Sequence, residues 1–426
     1  MTVNSTNKYL HETLTSLCLE TKEHTNNILQ ESRVNARKKC IEILKKTKKS
    51  SYWNNLSFNK YTGSENSEKD PTNDTKKLFE KLVDVSINIV NGFVKTTTMV
   101  LPNNVDLLDL SQINEQDFLN YLNKTTNDKD PLINLNNGTC TKGFVLNVED
   151  NSKPQIIHIH HEIKNTGLEQ SRQIINIAPN SHVTFIETFQ GNTESFENTL
   201  SQWVVNENAH LVKYSFGSRA GQHKKSQSVH TEIIEQHTKS KCDLYSFFFS
   251  RGALGFQGNI RNNIMLELLG ENISSKMWSV SMLKDEVKVD NNISLKHLKP
   301  NCSSSQIFKG LYSDESSGQY DSCVYVAQHA QKSNTVQKNN NILLGDKSRV
   351  NSNPQLEIFA DDVACAHGST IGQIDDLAMF YMRSRGISKN TAQKLLLSAF
   401  VSDVVDSVAD EKLKKIITDE IDKQFE

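Results

Sequence analysis

Between residues 143 and 371 the chain never offers a credible long helix; it offers short runs of β-branched, aromatic and aliphatic residues separated by polar turns. FVLNV, QIIHIHH, HVTFIETF, DLYSFFF, NIMLELL, CVYVAQH and QLEIFADDV are each of strand length. The centre of the molecule is therefore all-β. Its corners are short of the usual turn residues: the whole sequence holds only 18 glycines and 7 prolines, while asparagine is abundant. Turns must then rest on Asn, Asp and Ser, whose short side chains hydrogen-bond local backbone and tolerate tight conformations. The cysteine pair of a sandwich and the periodic aromatic or Trp-Asp signature of a propeller are both missing. Strand following strand through Asn-rich corners suits a parallel β-helix of stacked coils, although no strict sequence repeat accompanies it.

The flanks have another texture. Over residues 10–49 apolar side chains recur at helical spacing (Leu10, Leu14, Leu17, then Ile28, Leu29, Ile41, Leu44) among good helix formers. Residues 51–74 are polar and turn-rich and read as a linker that Trp53, Phe58 and Tyr61 could anchor. After Gly372, DDLAMFYMRSRG predicts a short helix capped by Asp375 or Asp376 and stopped at Gly386, where glycine relieves a left-handed position. Ser388 caps a second helix with a predicted apolar stripe of Leu395, Leu396, Phe400, Val404 and Val408; a third carries Leu413, Ile416, Ile417 and Ile421 on one face. Three domains are expected: 1–125, helical with the polar linker; 126–372, the β core; and 373–426, a helical module that could be removed while the β core stays soluble.

A formal net charge of -2 gives no overall field for nucleic acid or an anionic membrane. The densest basic run, from Arg37-Lys38-Lys39 through Lys45-Lys46 to Lys48-Lys49, overlaps Ile41, Ile43 and Leu44 and reads as the solvated face of an amphipathic helix. No segment reaches the roughly 18 apolar residues that cross a bilayer. The first residues, MTVNSTNKYLHETLTSLCLE, fit neither a signal peptide nor a transit peptide. A cytoplasmic chain with neither nucleic-acid nor membrane partners is expected. Its seven cysteines never form C-x-x-C, which predicts reduced thiols and no disulfide framework. Neither G-x-x-x-x-G-K-[ST] nor a strand-to-helix G-x-G-x-x-G occurs, so any ATP dependence comes through a partner.

The stretch ADDVACAHGSTIG, residues 360–372, is the densest in chemistry. On a strand Cys365 and His367 share a face with Asp361 and Val363, so thiol and imidazole can converge on one metal or one reacting atom. Structural zinc needs four ligands and catalytic zinc three, and no neighbouring pair completes either set; the alternative is a buried thiol beside a hydrogen-bonded imidazole. Catalysis by Cys365 needs an aligned base, which a residue two positions along one strand rarely supplies. His158 and His160 repeat the spacing, with an exposed strand face as the plain reading, and His182 and His329 stand alone. Glu162 and Glu187 have no specified carboxylate partner, so no glycosidase pair is assigned.

Residues 339–387, NNNILLGDKSRVNSNPQLEIFADDVACAHGSTIGQIDDLAMFYMRSRGI, resemble the signature block of the SufB/SufD family of iron-sulfur cluster assembly proteins, with PQLEI, ADDV, C-x-HG and F-Y-x-R-S-R-G-I in order. Weaker similarity runs upstream through CSSSQIFKGLYSDESSGQYDSCVYVAQH and IAPNSHVTFIETFQG. Within the family the D-type subunit is the better match: where the B-type carries a cysteine after G-D-K and a glutamate after the histidine, this chain has Ser348 and Gly368. The resemblance implies a mainly β fold, a right-handed parallel β-helix flanked by N-terminal and C-terminal α-helical domains. It implies a non-catalytic subunit that pairs with a B-type scaffold subunit through the β-helices, or forms a homodimer without it. An ABC-type ATPase is expected on the C-terminal helices, met by Phe380, Tyr381, Arg383, Arg385, Leu396 and Phe400. No cofactor is expected on the isolated chain. A transient iron-sulfur cluster is expected at the seam with the B-type subunit, ligated in part by His367 and Cys365. The rival reading, a parallel β-helix carbohydrate-active hydrolase or lyase, places carboxylates on the helix face and predicts turnover by the chain alone.

Overall fold

The computed structural model describes residues 14–16, 18–19, 28–47, 74–97, 101–125, 130–149, 154–191, 194–217 and 226–425. Strands β4 (Gly143–Val148) to β19 (Ala364–Gly372) alternate between two sheets, odd-numbered strands in one and even-numbered in the other. The strands stack as a parallel β-solenoid of about seven turns with helices at both termini. The mainly β architecture expected from the sequence is the one observed. Alternate side chains point inward, and Phe144, Ile159, Ile175, Phe185, Trp203 and Leu211 begin one continuous apolar column along the axis.

The corners explain how a glycine-poor chain can turn so often. Among the described residues nine non-glycine positions have positive φ: five asparagines, two aspartates, Lys239 and Lys332. Asn and Asp reach the left-handed region at low cost because their side chains bond locally. These residues also stitch coil to coil: Asn208 N–H donates to the Thr238 carbonyl and Asn301 N–H to that of Gln331, each at 3.0 Å. Ser240, Ser316 and Ser333 seal other corners by donating their hydroxyls to the carbonyl three residues earlier. The period is therefore one of backbone conformation, which several residue types satisfy. That is why the letters show no strict repeat.

The N-terminal end is covered. β1 (Val85–Val90) extends one sheet in parallel with β5 (Gln155–Ile163), β2 (Phe93–Thr97) turns back antiparallel on it, and β3 (Val105–Asp109) closes the other sheet antiparallel to β4. The expectation of a helical first segment missed these three strands, which are short and polar at their edges. Helices α1 (Ile28–Thr47) and α4 (Pro131–Thr139) pack on an outer face, with Leu14, Cys18, Cys40 and Leu44 against Phe196 and Val229. Beneath them Arg172, wholly buried, donates to Thr125 Oγ1 at 2.7 Å, Asn137 Oδ1 at 2.8 Å and Gln202 Oε1 at 3.0 Å. The basic run is not uniformly solvated: Lys38, Lys45 and Lys46 are exposed, but Arg37 is buried and donates to the Gly138 carbonyl at 3.2 Å. Lys48, Lys49, Trp53, Phe58 and Tyr61 lie outside the described residues.

At the other terminus Asp375 caps α5 (Asp376–Ser384), Gly386 stops it with φ +85, and Ser388 caps α6 (Lys389–Asp406), as the sequence predicts. The stripe of α6 differs. Leu397, Val401, Val404, Val405 and Val408 are buried, whereas Leu395 is 49% exposed. Apolar residues at 395, 396, 397, 400 and 401 surround much of this helix, so spacing alone does not select a face; the sheet does. The buried side meets Tyr214, Phe216, Tyr245, Phe247 and Phe249, and Leu413, Ile417 and Ile421 of α7 (Glu411–Lys423) complete this core. Side chains of α7 also bind the 251–254 loop: Gln424 Oε1 and Glu420 Oε2 accept the N–H groups of Arg251 and Leu254. Removing 373–426 would bare this aromatic face.

Candidate functional site

The C-terminal end of the solenoid is finished differently from the covered end. β18 (Arg349–Ile358) pairs only with β16 (Ser317–Val326), and β19 only with β17 (Asn334–Leu343); each is the last strand of its sheet. β4 is buried along nearly its whole length, whereas β18 and β19 are exposed at most positions. Phe359 is 58% and Ile371 47% exposed beside these edges. A row of unpaired backbone N–H and C=O groups is a template for another chain.

Cys365 packs against the interior cluster from this last coil, which fixes the side it faces; alternation puts His367 on the same side, exposed. Asp361 does not join them, because the chain bends at Asp361 and Asp362 and β19 begins only at Ala364. Among the described residues no group of three or more His, Cys, Asp or Glu side chains can hold a metal. The last coil thus offers two donors and no third. Partial burial pushes the Cys365 thiol up, opposed by a hydrogen bond with the Thr335 backbone.

Under each donor stands a buried polar column. Thr335 is in register with Cys365, and its hydroxyl lies 2.7 Å from Ser304 Oγ, itself 2.9 Å from His297 Nε2. Burial pulls His297 down to about 4. Gln337 is in register with His367 and donates to Ser322 Oγ at 2.8 Å. Ser322 and Tyr320 both donate to Gln306 Oε1, at 2.7 and 2.9 Å. Sequence reasoning missed these columns because their members lie a coil apart in the chain. The available signal was a polar residue at an inward position of each strand. Ser348, which stands where the B-type pattern has cysteine, closes a corner by donating to the Gly345 carbonyl at 2.7 Å. A Cβ at Gly368 would meet nothing, so the space beside His367 is open.

The six expected partner residues divide. Phe380 and Tyr381 are 72% and 60% exposed on α5, joined by Leu377 at 80%. Arg383 and Arg385 are exposed beside them, with the Arg385 guanidinium 5.2 Å from the Tyr381 ring. Leu396 and Phe400 are half-buried. Lys309 lies 4.9 Å from the Phe400 ring, donates to its carbonyl at 2.6 Å and pairs with Asp403 at 2.7 Å, so Phe400 fastens α6 to the solenoid.

The other candidates resolve into structure. His158 and His160 are buried, against the expectation of an exposed face; Phe79 of α2 (Asp74–Phe79) packs on the His158 ring at 5.5 Å, and that ring lies beside His160. Both bond Thr188 Oγ1, at 2.7 and 2.9 Å. His182 stacks on His210 at 4.5 Å, and His329 is exposed. Glu187 does have a carboxylate neighbour, found only in space: Lys213 Nζ lies 2.8 Å from Glu187 Oε2 and also pairs with Glu232, all buried. Burial works to raise Glu187, but Lys213, His161 and His230 outweigh it and hold the carboxyl well below its ordinary value. A groove of about 830 Å³ is lined by four carboxylates, Asp285, Glu286, Asp290 and Glu315. Arg261 pairs with Asp290 at 3.5 Å and Lys347 with Glu315 at 2.6 Å.

The class of molecule is thus a parallel β-solenoid that ends on bare strands, with Cys365 and His367 on one of them and exposed apolar side chains on the helix that follows. The chain belongs to the SufBD family, since residues 145–400 match the model described as SUF system FeS cluster assembly, SufBD core domain. It is 34% identical over 249 residues to the iron-sulfur cluster assembly protein SufD of Escherichia coli (strain K12), covering 57% of this chain and 56% of that protein. It is 25% identical over 339 residues to an iron-sulfur cluster assembly SufBD family protein of Synechocystis, covering 75% and 73%. With Protein ABCI7, chloroplastic, of Arabidopsis thaliana it shares 28% identity over 260 residues, covering 59% and 52%. The first and third matches thus span little more than half of those relatives. No helix among the described residues is long and apolar enough to cross a membrane.

Proposed function

We propose that this chain is the non-catalytic, D-type subunit of an iron-sulfur cluster assembly complex. Its bare last coil pairs with a B-type scaffold subunit, or with a second copy when that subunit is absent. Its α5 surface receives an ABC-type ATPase. The observation that carries this reading is the conjunction, on one coil, of unpaired strand edges and a thiol–imidazole pair that no third group among the described residues completes. The donor chemistry fits the cargo: thiolate and imidazole suit iron and nascent clusters. His367 supplies one nitrogen and Cys365 one sulfur to a cluster finished by the partner, and a mixed sphere holds it less tightly than four thiolates, which aids release.

Strand-edge pairing brings main-chain hydrogen bonds for affinity. On α5, Leu377, Phe380 and Tyr381 form an apolar anchor with guanidinium forks at its rim, the residue types that dominate binding energy at interfaces. ATP hydrolysis belongs to the ATPase. All seven cysteines are free, as a reducing compartment allows, and we take that compartment to be the cytoplasm. Of the four carboxylates in the groove, Asp290 and Glu315 are tied to cations, which weakens the hydrolase reading. The test is co-purification of a double variant, Leu377→Asp with Phe380→Asp. ATPase binding should weaken more than about 30-fold, the equivalent of one lost hot spot of ~2 kcal/mol, with B-type pairing retained. Full ATPase recovery would reject the α5 assignment.

A further inference from the structure

We infer that Gln337 is the positioning residue of His367, its side-chain carbonyl accepting the imidazole N–H so that the other ring nitrogen keeps its electron pair toward the bare coil. The inference begins from an orphaned atom. Gln337 is wholly buried, its amide nitrogen is committed to Ser322 Oγ at 2.8 Å, and its Oε1 has no hydrogen-bond partner. A buried carbonyl left unsatisfied is expensive, so a donor within reach is physically demanded.

The amide cannot escape by flipping. Ser322 Oγ gives its proton to Gln306 Oε1 at 2.7 Å, where Tyr320 also donates at 2.9 Å. A reversed Gln337 amide would set its oxygen against a hydroxyl whose proton is already placed, so Oε1 is the free end. Directly above it in register is His367, whose ring makes no hydrogen bond among the described residues. In the coil below, Gln306 Nε2 is also unpaired and in register with Gln337, and neither it nor the imidazole closes a bond to Oε1 in this structure. Gln306 is held in place by Tyr320 and Ser322 on its own Oε1, whereas the exposed ring of His367 can turn onto Oε1 of Gln337 and is the donor that meets it. A neutral imidazole that donates from one nitrogen accepts at the other, and ligating histidines are commonly held in one tautomer by such an outer partner.

This contact deepens the ligand reading of His367 but can be tested apart from it. The full chain is labelled with 15N-histidine, and the His367 ring signals are assigned by their loss in His367→Asn. At a pH where the ring is neutral, wild type should show a single tautomer, with one protonated and one bare ring nitrogen. Gln337→Leu should relax this to the averaged pattern of a free imidazole, and Gln337→Glu, which keeps an acceptor, should restore it. An averaged pattern in wild type, or an unchanged one in Gln337→Leu, overturns the inference; if Gln337→Leu does not fold, the wild-type spectrum and Gln337→Glu decide. In the assembled complex Gln337→Leu should also retain iron about tenfold less well. A tautomer fixed by Gln337 together with undiminished iron would leave the contact standing and remove the ligand role of His367.

Discussion

At its N-terminal end the solenoid runs into antiparallel strands and helices; at its C-terminal end β18 and β19 are the last strands of their sheets, with no further described strand laid over them. The inward positions differ accordingly. Phe144, Leu146 and Val148 on the first coil are apolar and buried, whereas the last coil mixes Cys365, His367 and Ile371 with a serine pair, Ser369 and Ser352, 2.7 Å apart. β18 also carries Pro354, which cannot donate to a ladder and so belongs on an edge. The mating role proposed for this end calls for such a compromise: enough polar character to resist indiscriminate stacking, enough apolar surface to reward the right partner. On that proposal the same coil geometry serves folding where it is covered and assembly where it is bare.

The comparison breaks most easily in the covered body. Lys213→Met leaves the buried carboxylates of Glu187 and Glu232 uncompensated, and removing one member of a buried charge cluster destabilises by about 3–5 kcal/mol. Urea unfolding should reveal that loss. A change below about 1 kcal/mol would mean that the interior there is wetter than its burial suggests.

A second, smaller effect comes from below the bare coil. Burial lowers His297 from 6.5 to about 4, so the unfolded chain takes up its proton first as pH falls. Its contribution is fully present above pH 6.5, declines between pH 6.5 and 4, and amounts to about 3 kcal/mol over that window. Melting temperature should therefore fall more steeply with acid in wild type than in His297→Asn. Parallel pH profiles would place His297 in contact with solvent and extend the open character of the end one coil deeper.

Much of the architecture was legible because it is local. Asn-rich corners, strand-length apolar runs and the caps at Asp375 and Ser388 each carry their physics within a few residues, and each appears where the sequence put it. The family block around residues 339–387 located His367 and Cys365. What stayed hidden depends on stacking between coils: Thr335 under Cys365, Gln337 under His367, and Lys213 between two glutamates are neighbours only after register is set. The face of α6 was hidden for a related reason, since a helix apolar nearly all round takes its orientation from the sheet it covers. His158 was misread because Phe79, which packs on it, is remote in sequence.

The bare coil is proposed to be a mating surface on which His367 acts as a ligand and not as packing. The direct measurement is iron and acid-labile sulfide per complex after anaerobic reconstitution of His367→Ala with its B-type and ATPase partners, alongside thermal melting of the variant chain. An exposed side chain on an edge strand should change folding by less than about 0.5 kcal/mol. The expected result is normal melting and normal co-purification with little iron or sulfide, and a milder loss in Cys365→Ala because the partner can furnish thiolate. Wild-type iron and sulfide in His367→Ala, or a melting temperature low enough to explain their loss, would contradict the ligand role.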